Sequence, residues 1–206
     1  MKKTITALFL VIMATAMQAQ TIEHIYHFNQ PVISERDGYQ QISFENCLPS
    51  GQVGEPTLPW QSVSLILPQG QEAVAVNVEF SDFVEYKEQV NLYPYQKPRP
   101  YSNEEMIPFA KDEDLYRSNE PYPTRSFSTV NTQYLNGVAL AFCGFTPVRY
   151  VPATGKVSYA RTVKVSIETN ASRDDHSRKL WLTPENEASI KRLAQNENML
   201  DRKSVV

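Results

Sequence analysis

The clearest pattern in the chain is KVSYARTVKVSIET, residues 156–169, in which apolar and polar positions alternate. Val157, Tyr159, Val163, Val165 and Ile167 share one face, interrupted by Arg161; Lys156, Ser158, Thr162, Lys164 and Ser166 share the other. A period of two predicts a half-buried strand, because successive side chains point to opposite sides of the pleat. EAVAVNVEF repeats the pattern with Val74, Val76, Val78 and Phe80, and QSVSLILP places Val63, Leu65 and Leu67 on one face. TIEHIYHF and YQQISFEN are shorter, partly alternating strands, with RDG as a turn signal between them. QYLNGVALAFCGFTPVRYV contains a long strand that is apolar on both faces, so it is expected to be central. PATG, residues 152–155, then turns the chain, and the segments on either side of it form a β-hairpin spanning residues 145–167.

Helical periodicity is confined to LTPENEASIKRLAQNENML. Thr183 suits the N-cap, Pro184 the first turn, and Glu185 the positive end of the helix dipole. Ile190, Leu193 and Ala194 give it a narrow apolar stripe. Residues 91–127 show little periodicity and are expected to hold loops, an edge strand at most, and no helix. The pattern as a whole predicts an all-β fold: an antiparallel β-sandwich of jelly-roll or Ig-like type, with one short C-terminal helix.

The first residues do not belong to that fold. MKK is a positively charged start, ITALFLVIMATAM a short apolar core, and ATAMQAQ the small and polar residues of a signal-peptidase site. Cleavage is expected after Ala19, leaving Gln20 first, or after Ala16, leaving Met17 first. The first alternative leaves 206 − 19 = 187 residues. The organisation expected is a signal peptide over residues 1–19, a β-sandwich over 20–170, and a linker with the helix over 171–206. The product is exported, to the periplasm or beyond. No other segment is apolar enough to span a bilayer.

Charge and composition narrow the function. With 20 Lys and Arg against 23 Asp and Glu, and the cations scattered, nothing points to a nucleic-acid partner. Cys47 and Cys143 sit in an exported chain where a disulfide is permitted. The apolar run ALAFCGF makes an unpaired, packed Cys143 the simpler expectation. Cys143 precedes Gly144, but no base or orienting group lies near it in sequence to activate a nucleophile. His24 and His27 are three apart on a strand, so they point to opposite faces and suit no shared metal; His176 stands alone. Glu104, Glu105, Asp112, Glu113 and Asp114 lack the glycine turn of a calcium loop and read as a solvated face. No phosphate loop, dinucleotide fingerprint or zinc spacing occurs, and neither a metal nor a cofactor is expected.

What stands out is NLYPYQKPRPYSNEEMIP, residues 91–108. It holds four prolines and three tyrosines, with Lys97 and Arg99 as its only cations, flanking Pro98. A stiff, exposed segment carrying isolated charges suits recognition of a partner, since proline lowers the entropy lost on docking. The same composition also suits a solvated cover over a sheet edge.

Three stretches carry a resemblance. GEPTLPWQSVSLILPQG resembles the Gly-x-Pro-x-Leu-Pro element near the start of the propeptide domain of gingipain-type cysteine proteases. FTPVRYVPATGKVSYARTVKVSIET is similar to that family's closing hairpin, and EAVAVNVEFSDFVEYKEQV to the strand between. The resemblance covers about residues 25–169. It implies a non-catalytic β-sandwich that follows a signal peptide. Such a module inhibits a downstream gingipain-like cysteine protease catalytic domain, assists its folding, and keeps the zymogen latent. It further implies a loop after the second of these strands that inserts a basic residue into the protease specificity pocket. Here that position reads YPYQKPRPYS, so Arg99 and Lys97 are both candidates for the protease-inhibitory residue. In that family a catalytic domain begins near the position of ENMLDRKSVV; on this reading the chain is a precursor fragment, a truncated product or a stand-alone propeptide-like protein. The competing expectation is a secreted carbohydrate- or surface-binding sandwich that uses Trp60 and the tyrosines to stack on sugar rings.

Overall fold

The computed structural model describes residues 20–98, 108–172 and 182–200. Among these residues ten strands and two α-helices follow one another: β1 (Gln20–His27), β2 (Val32–Arg36), β3 (Tyr39–Ser43), β4 (Cys47–Ser50), β5 (Leu58–Ile66), β6 (Gln71–Glu85), α1 (Glu113–Tyr116), β7 (Asn131–Leu135), β8 (Val138–Phe145), β9 (Val148–Val151), β10 (Lys156–Ala171) and α2 (Pro184–Leu193). The pairings form two antiparallel four-stranded sheets and one separate hairpin.

In the first sheet the long β10 lies between β1 and β6. Ser158 and Tyr159 pair with β6 on one side and with β9 on the other, so β9 and β1 share an edge of β10. The second sheet runs β4-β5-β8-β7, and the hairpin is β2-β3. Val63 and Leu65 of β5, Ala141 and Phe145 of β8, and Val163, Val165 and Ile167 of β10 meet in one core. Phe145, fully buried, is its hub, with the rings of Tyr26, Phe28 and Phe80 at 5.2, 5.9 and 6.1 Å. This is the antiparallel sandwich that the period of two predicts. The face assigned to β10 is buried at every apolar position, while Arg161 is exposed.

Both faces of β8 are covered, as its apolar character requires. The outer one meets α2, where Ile190 and Ala194 pack against Ile66, Val138 and Leu140. The Thr183 side chain caps α2 by accepting from the Asn186 N–H at 3.2 Å, with Pro184 in the first turn. Beyond α2, residues 195–196 continue the second sheet where β4 stops. Gln195 N–H donates to Ser64 O at 3.0 Å and its Oε1 accepts from Ser64 N–H at 2.6 Å. The Asn196 amide takes Ile66 N–H at 2.7 Å and returns Nδ2 to Ile66 O at 3.0 Å. A sheet edge that would otherwise carry unpaired backbone groups is closed by side-chain amides acting as peptide groups.

Two hairpin turns punctuate this order, and two expectations need correction. The long strand expected within residues 133–151 is β8, with β7 before it and β9 after it, and Asn136 and Gly137, with φ of 52° and 85°, turn β7 back on β8. Asp37 and Gly38, at 52° and 80°, join β2 to β3 in the same way. Positive φ at both central residues is the hairpin geometry that matches strand twist. Val74, expected on the buried face, is 49% exposed. The register with β10 shifts there, Thr169 pairing Ala73 and Glu168 pairing Ala75, so Val74 is the extra residue of a bulge. Finally, residues 91–127 do contain a helix, the single turn α1, with Asp112 accepting from the Asp114 and Leu115 N–H groups.

Cys47 and Cys143 are free thiols. They lie on β4 and β8, which flank β5 on opposite sides. Two strand spacings separate them by roughly 10 Å, beyond disulfide reach.

Candidate functional site

After β6 the chain does not run free. Tyr86 N–H donates to Val157 O and Val90 N–H to Gly155 O, each at 2.9 Å. Leu92 is fully buried and Tyr93 and Pro94 are buried beside it, so the first half of the proline-rich segment is not exposed. Its backbone exchanges hydrogen bonds with Gln40 on one side and with Thr57 and Glu55 on the other. Pro94 sits opposite Pro56, two residues that have no N–H to leave unpaired.

Two tyrosines seal this path from beneath. The Tyr150 hydroxyl donates to Val90 O at 3.1 Å and accepts from Leu92 N–H at 3.4 Å. The Tyr116 hydroxyl donates to Leu92 O at 2.6 Å. Burial holds both phenols protonated, well above the ordinary range. Tyr116 is on α1, so the short helix carries the hydroxyl that satisfies a buried carbonyl.

The described residues on either side of 99–107 are joined through Gln96 and Ala110. Gln96 Oε1 accepts from Ala110 N–H at 2.9 Å, and Nε2 donates to Ala110 O at 2.7 Å and to Pro94 O at 2.9 Å. Asp112 N–H then donates to Gly54 O at 2.9 Å, fixing the returning arm. Beside this clamp the rings of Tyr39, Tyr93 and Phe109 lie within 6.0 Å of one another, and the Arg36 guanidinium carbon stands 4.4 Å over Tyr93. Lys97 is exposed at the mouth of the clamp. Arg99 lies outside the described residues, as do Glu104 and Glu105. The chain before and after residues 99–107 is thus locked together.

The remaining candidates do not assemble. Gln20 opens β1, paired with Thr169, and Ala19 lies outside the described residues. His24 is half-buried, edge-on to Tyr26 at 4.7 Å, and burial lowers its pKa; His27 is exposed. His176 lies outside the described residues. Burial pushes the Cys143 thiol up to about 11, the reverse of what an activated nucleophile needs. Asp112 caps α1 and Glu113 pairs with Lys111 at 3.2 Å. Among the described residues no cluster of His, Cys, Asp or Glu is placed to hold a metal, and no helix is long and apolar enough to cross a membrane. Trp60 packs across Gly144: a β-carbon there would fall 2.1 Å from the indole Nε1.

Gln40, Gln96, Tyr116 and Arg36 are not legible in the sequence as site residues. Only Asp112, ahead of two acids and an apolar pair, carries a local signal, that of a helix start.

The family model Propeptide_C25 matches residues 17–188. No curated protein matches the chain. Solved structures share the fold, two of them gingipain structures. One is the complex of Porphyromonas gingivalis RgpB pro- and mature domains, with TM-score 0.63, 18% identity, and 86% of this chain and 93% of that one covered. The other is a structure of gingipain K from Porphyromonas gingivalis that bears on its zymogenic latency, with TM-score 0.59, 18% identity, and coverage of 78% and 97%. The propeptides of this family belong to exported proteases. The match of this family model over residues 17–188 places the chain in the Propeptide_C25 family, as a non-catalytic prodomain of the gingipain type.

Proposed function

We propose that this domain inhibits a gingipain-like cysteine endopeptidase and assists its folding, and that the segment between Gln96 and Ala110 is the inhibitory element. The observation that carries the reading is the family match over residues 17–188. The clamp at the loop's feet supports it: a loop that must survive beside an active site gains from being held at its base. Arg99, or failing it Lys97, enters an acidic specificity pocket of the catalytic domain. A charge-assisted contact of that kind is lost when one partner is truncated.

The test is titration of a separately expressed catalytic domain with the wild-type chain and variants. Arg99→Ala is expected to weaken inhibition by about tenfold to a thousandfold. Arg99→Lys keeps the charge but loses the planar fork. Refolding yields of the catalytic domain with and without the chain test the folding role. Full inhibition by both Arg99→Ala and Lys97→Ala leaves the loop without this role. The carbohydrate-binding alternative would rest on the tyrosines and on Trp60, whose indole lies against Gly144.

A further inference from the structure

We propose that the cavity at the foot of this loop is a carboxylate-receiving pocket, which takes an acidic side chain from the surface of the catalytic domain and so forms a second anchor. The inference rests on the inhibitory role proposed above. The cavity measures about 480 Å³ and is lined by Arg36, Thr57, Tyr93, Tyr95, Lys97 and Phe109 among others.

Thr57 is 7% exposed, its N–H is taken by Tyr93 O at 2.9 Å, and its hydroxyl oxygen is buried with no hydrogen-bond partner. A native domain rarely leaves such a group unmatched, and Thr57 is among the residues that line the cavity. Among the described residues the charged groups of the lining are Arg36 and Lys97. Arg36 stands with its guanidinium carbon 4.4 Å from the centroid of the Tyr93 ring, a contact that does not use up its N–H donors. Its Nε stands 3.6 Å from Asp37, an exposed pair worth little. Arg36 and Lys97 can only donate, and Thr57 Oγ1 can donate or accept. The group that complements such a set is an anionic acceptor, and on a protein surface that is a carboxylate, whose geometry the guanidinium fork matches. The Gln96 amide does not compete, because both its atoms are engaged with Ala110 and Pro94.

Position selects the source. Lys97 follows one foot of the loop and Phe109 precedes the other, so a domain that takes in the loop brings its own surface over the mouth of the cavity. A sugar fits less well: the face of Tyr93 is covered by Arg36, and Phe109 stacks on Tyr39 at 5.9 Å.

The experiment uses the full chain and the separately expressed gingipain-type catalytic domain of the same organism, with binding titrated at low and high salt. Arg36→Gln is expected to weaken binding about tenfold to a hundredfold and to flatten the salt dependence. Arg36→Lys should fall between. Thr57→Val, which removes only the orphaned hydroxyl, should weaken binding severalfold with no loss of Tm. Arg36→Glu should be rescued by one Asp→Lys or Glu→Lys change in the catalytic domain. Wild-type binding by both Arg36→Gln and Thr57→Val overturns the pocket while leaving the inhibitory role standing; failure of the wild-type chain to bind overturns that role as well. If Glu104→Gln with Glu105→Gln reproduces the Arg36→Gln loss, the occupant is the chain's own loop and the proposal falls.

Discussion

The side chain of Gln96 and the main chain of Ala110 are joined at two points, N–H to Oε1 at 2.9 Å and Nε2 to C=O at 2.7 Å. Gln96→Ala leaves both backbone groups of Ala110 to water and frees the feet of the loop. A stability loss of about 1–2 kcal/mol is expected. Faster hydrogen exchange at the Ala110 amide and weaker inhibition should accompany it. An unchanged exchange rate at Ala110 would show that the clamp does not hold the loop.

Asn196 acts as a surrogate peptide group for β5. Its amide satisfies both the N–H and C=O of buried Ile66. Asn196→Leu removes that partner without removing bulk, and the unmatched groups should cost roughly 2–3 kcal/mol. Urea unfolding followed by circular dichroism would register this as a lower midpoint with unchanged slope. An unchanged midpoint would mean that water reaches the edge of β5.

Gly144 has no room for a side chain, since an added β-carbon would lie 2.1 Å from Trp60 Nε1 and 3.0 Å from Gln61 O. Gly144→Ala is expected to destabilise the domain by about 1–3 kcal/mol. The loss should shrink in a Trp60→Leu background, because the nearest obstacle is then gone. Equal losses in both backgrounds in a double-mutant cycle would point to the backbone instead.

Burial raises the thiols of Cys47 and Cys143 from the ordinary 9.0 to about 11. Alkylation by iodoacetamide at pH 8 should therefore be slow, and its rate should climb until about pH 11. The sign for stability follows from proton binding. Below pH 9 the thiols are protonated folded or unfolded; between about 9 and 11 the unfolded chain releases protons that the folded chain retains. Stability is thus fully present below pH 9 and declines as pH rises. Buried Tyr26, Tyr116 and Tyr122, all shifted upward, act in the same direction at higher pH. A Tm that rises from pH 9 to 11 would contradict this assignment.

Export should yield a chain beginning at Gln20 or Met17. Gln20 pairs with Thr169 and its carbonyl accepts from the Thr169 hydroxyl at 3.0 Å, so a cut after Ala19 keeps β1 whole. Amino-terminal sequencing of the exported protein checks it, and an intact Met1 would contradict it.

The sequence is informative wherever a property is local. The faces of β10 follow from alternation alone, because a strand's pleat sends neighbours to opposite sides whatever the rest of the chain does. The start of α2 is equally legible, since Thr183, Pro184 and Glu185 act on the turn that they belong to. The family, too, is legible from the three short stretches that resemble it, and the family model's match spans them. The Asn136–Gly137 turn obeys the same local physics, but the apolar residues around it mask the break.

Tertiary structure alone decided the rest. Val74 has the right period for the core and is turned outward by a register shift against β10, a partner that β6 does not meet until the chain has nearly ended. The proline-rich segment reads as exposed, yet Leu92 is buried because Tyr116 and Tyr150 supply hydroxyls for its backbone and that of Val90. The foot of the loop brings together Arg36, Thr57 and Lys97 from three separate segments. Contacts of this kind join residues far apart in sequence, and they leave no local signature because neither residue needs a special neighbour in the chain. Local sterics fix which way a side chain points; which backbone it meets is settled only when the sheets and loops close on one another.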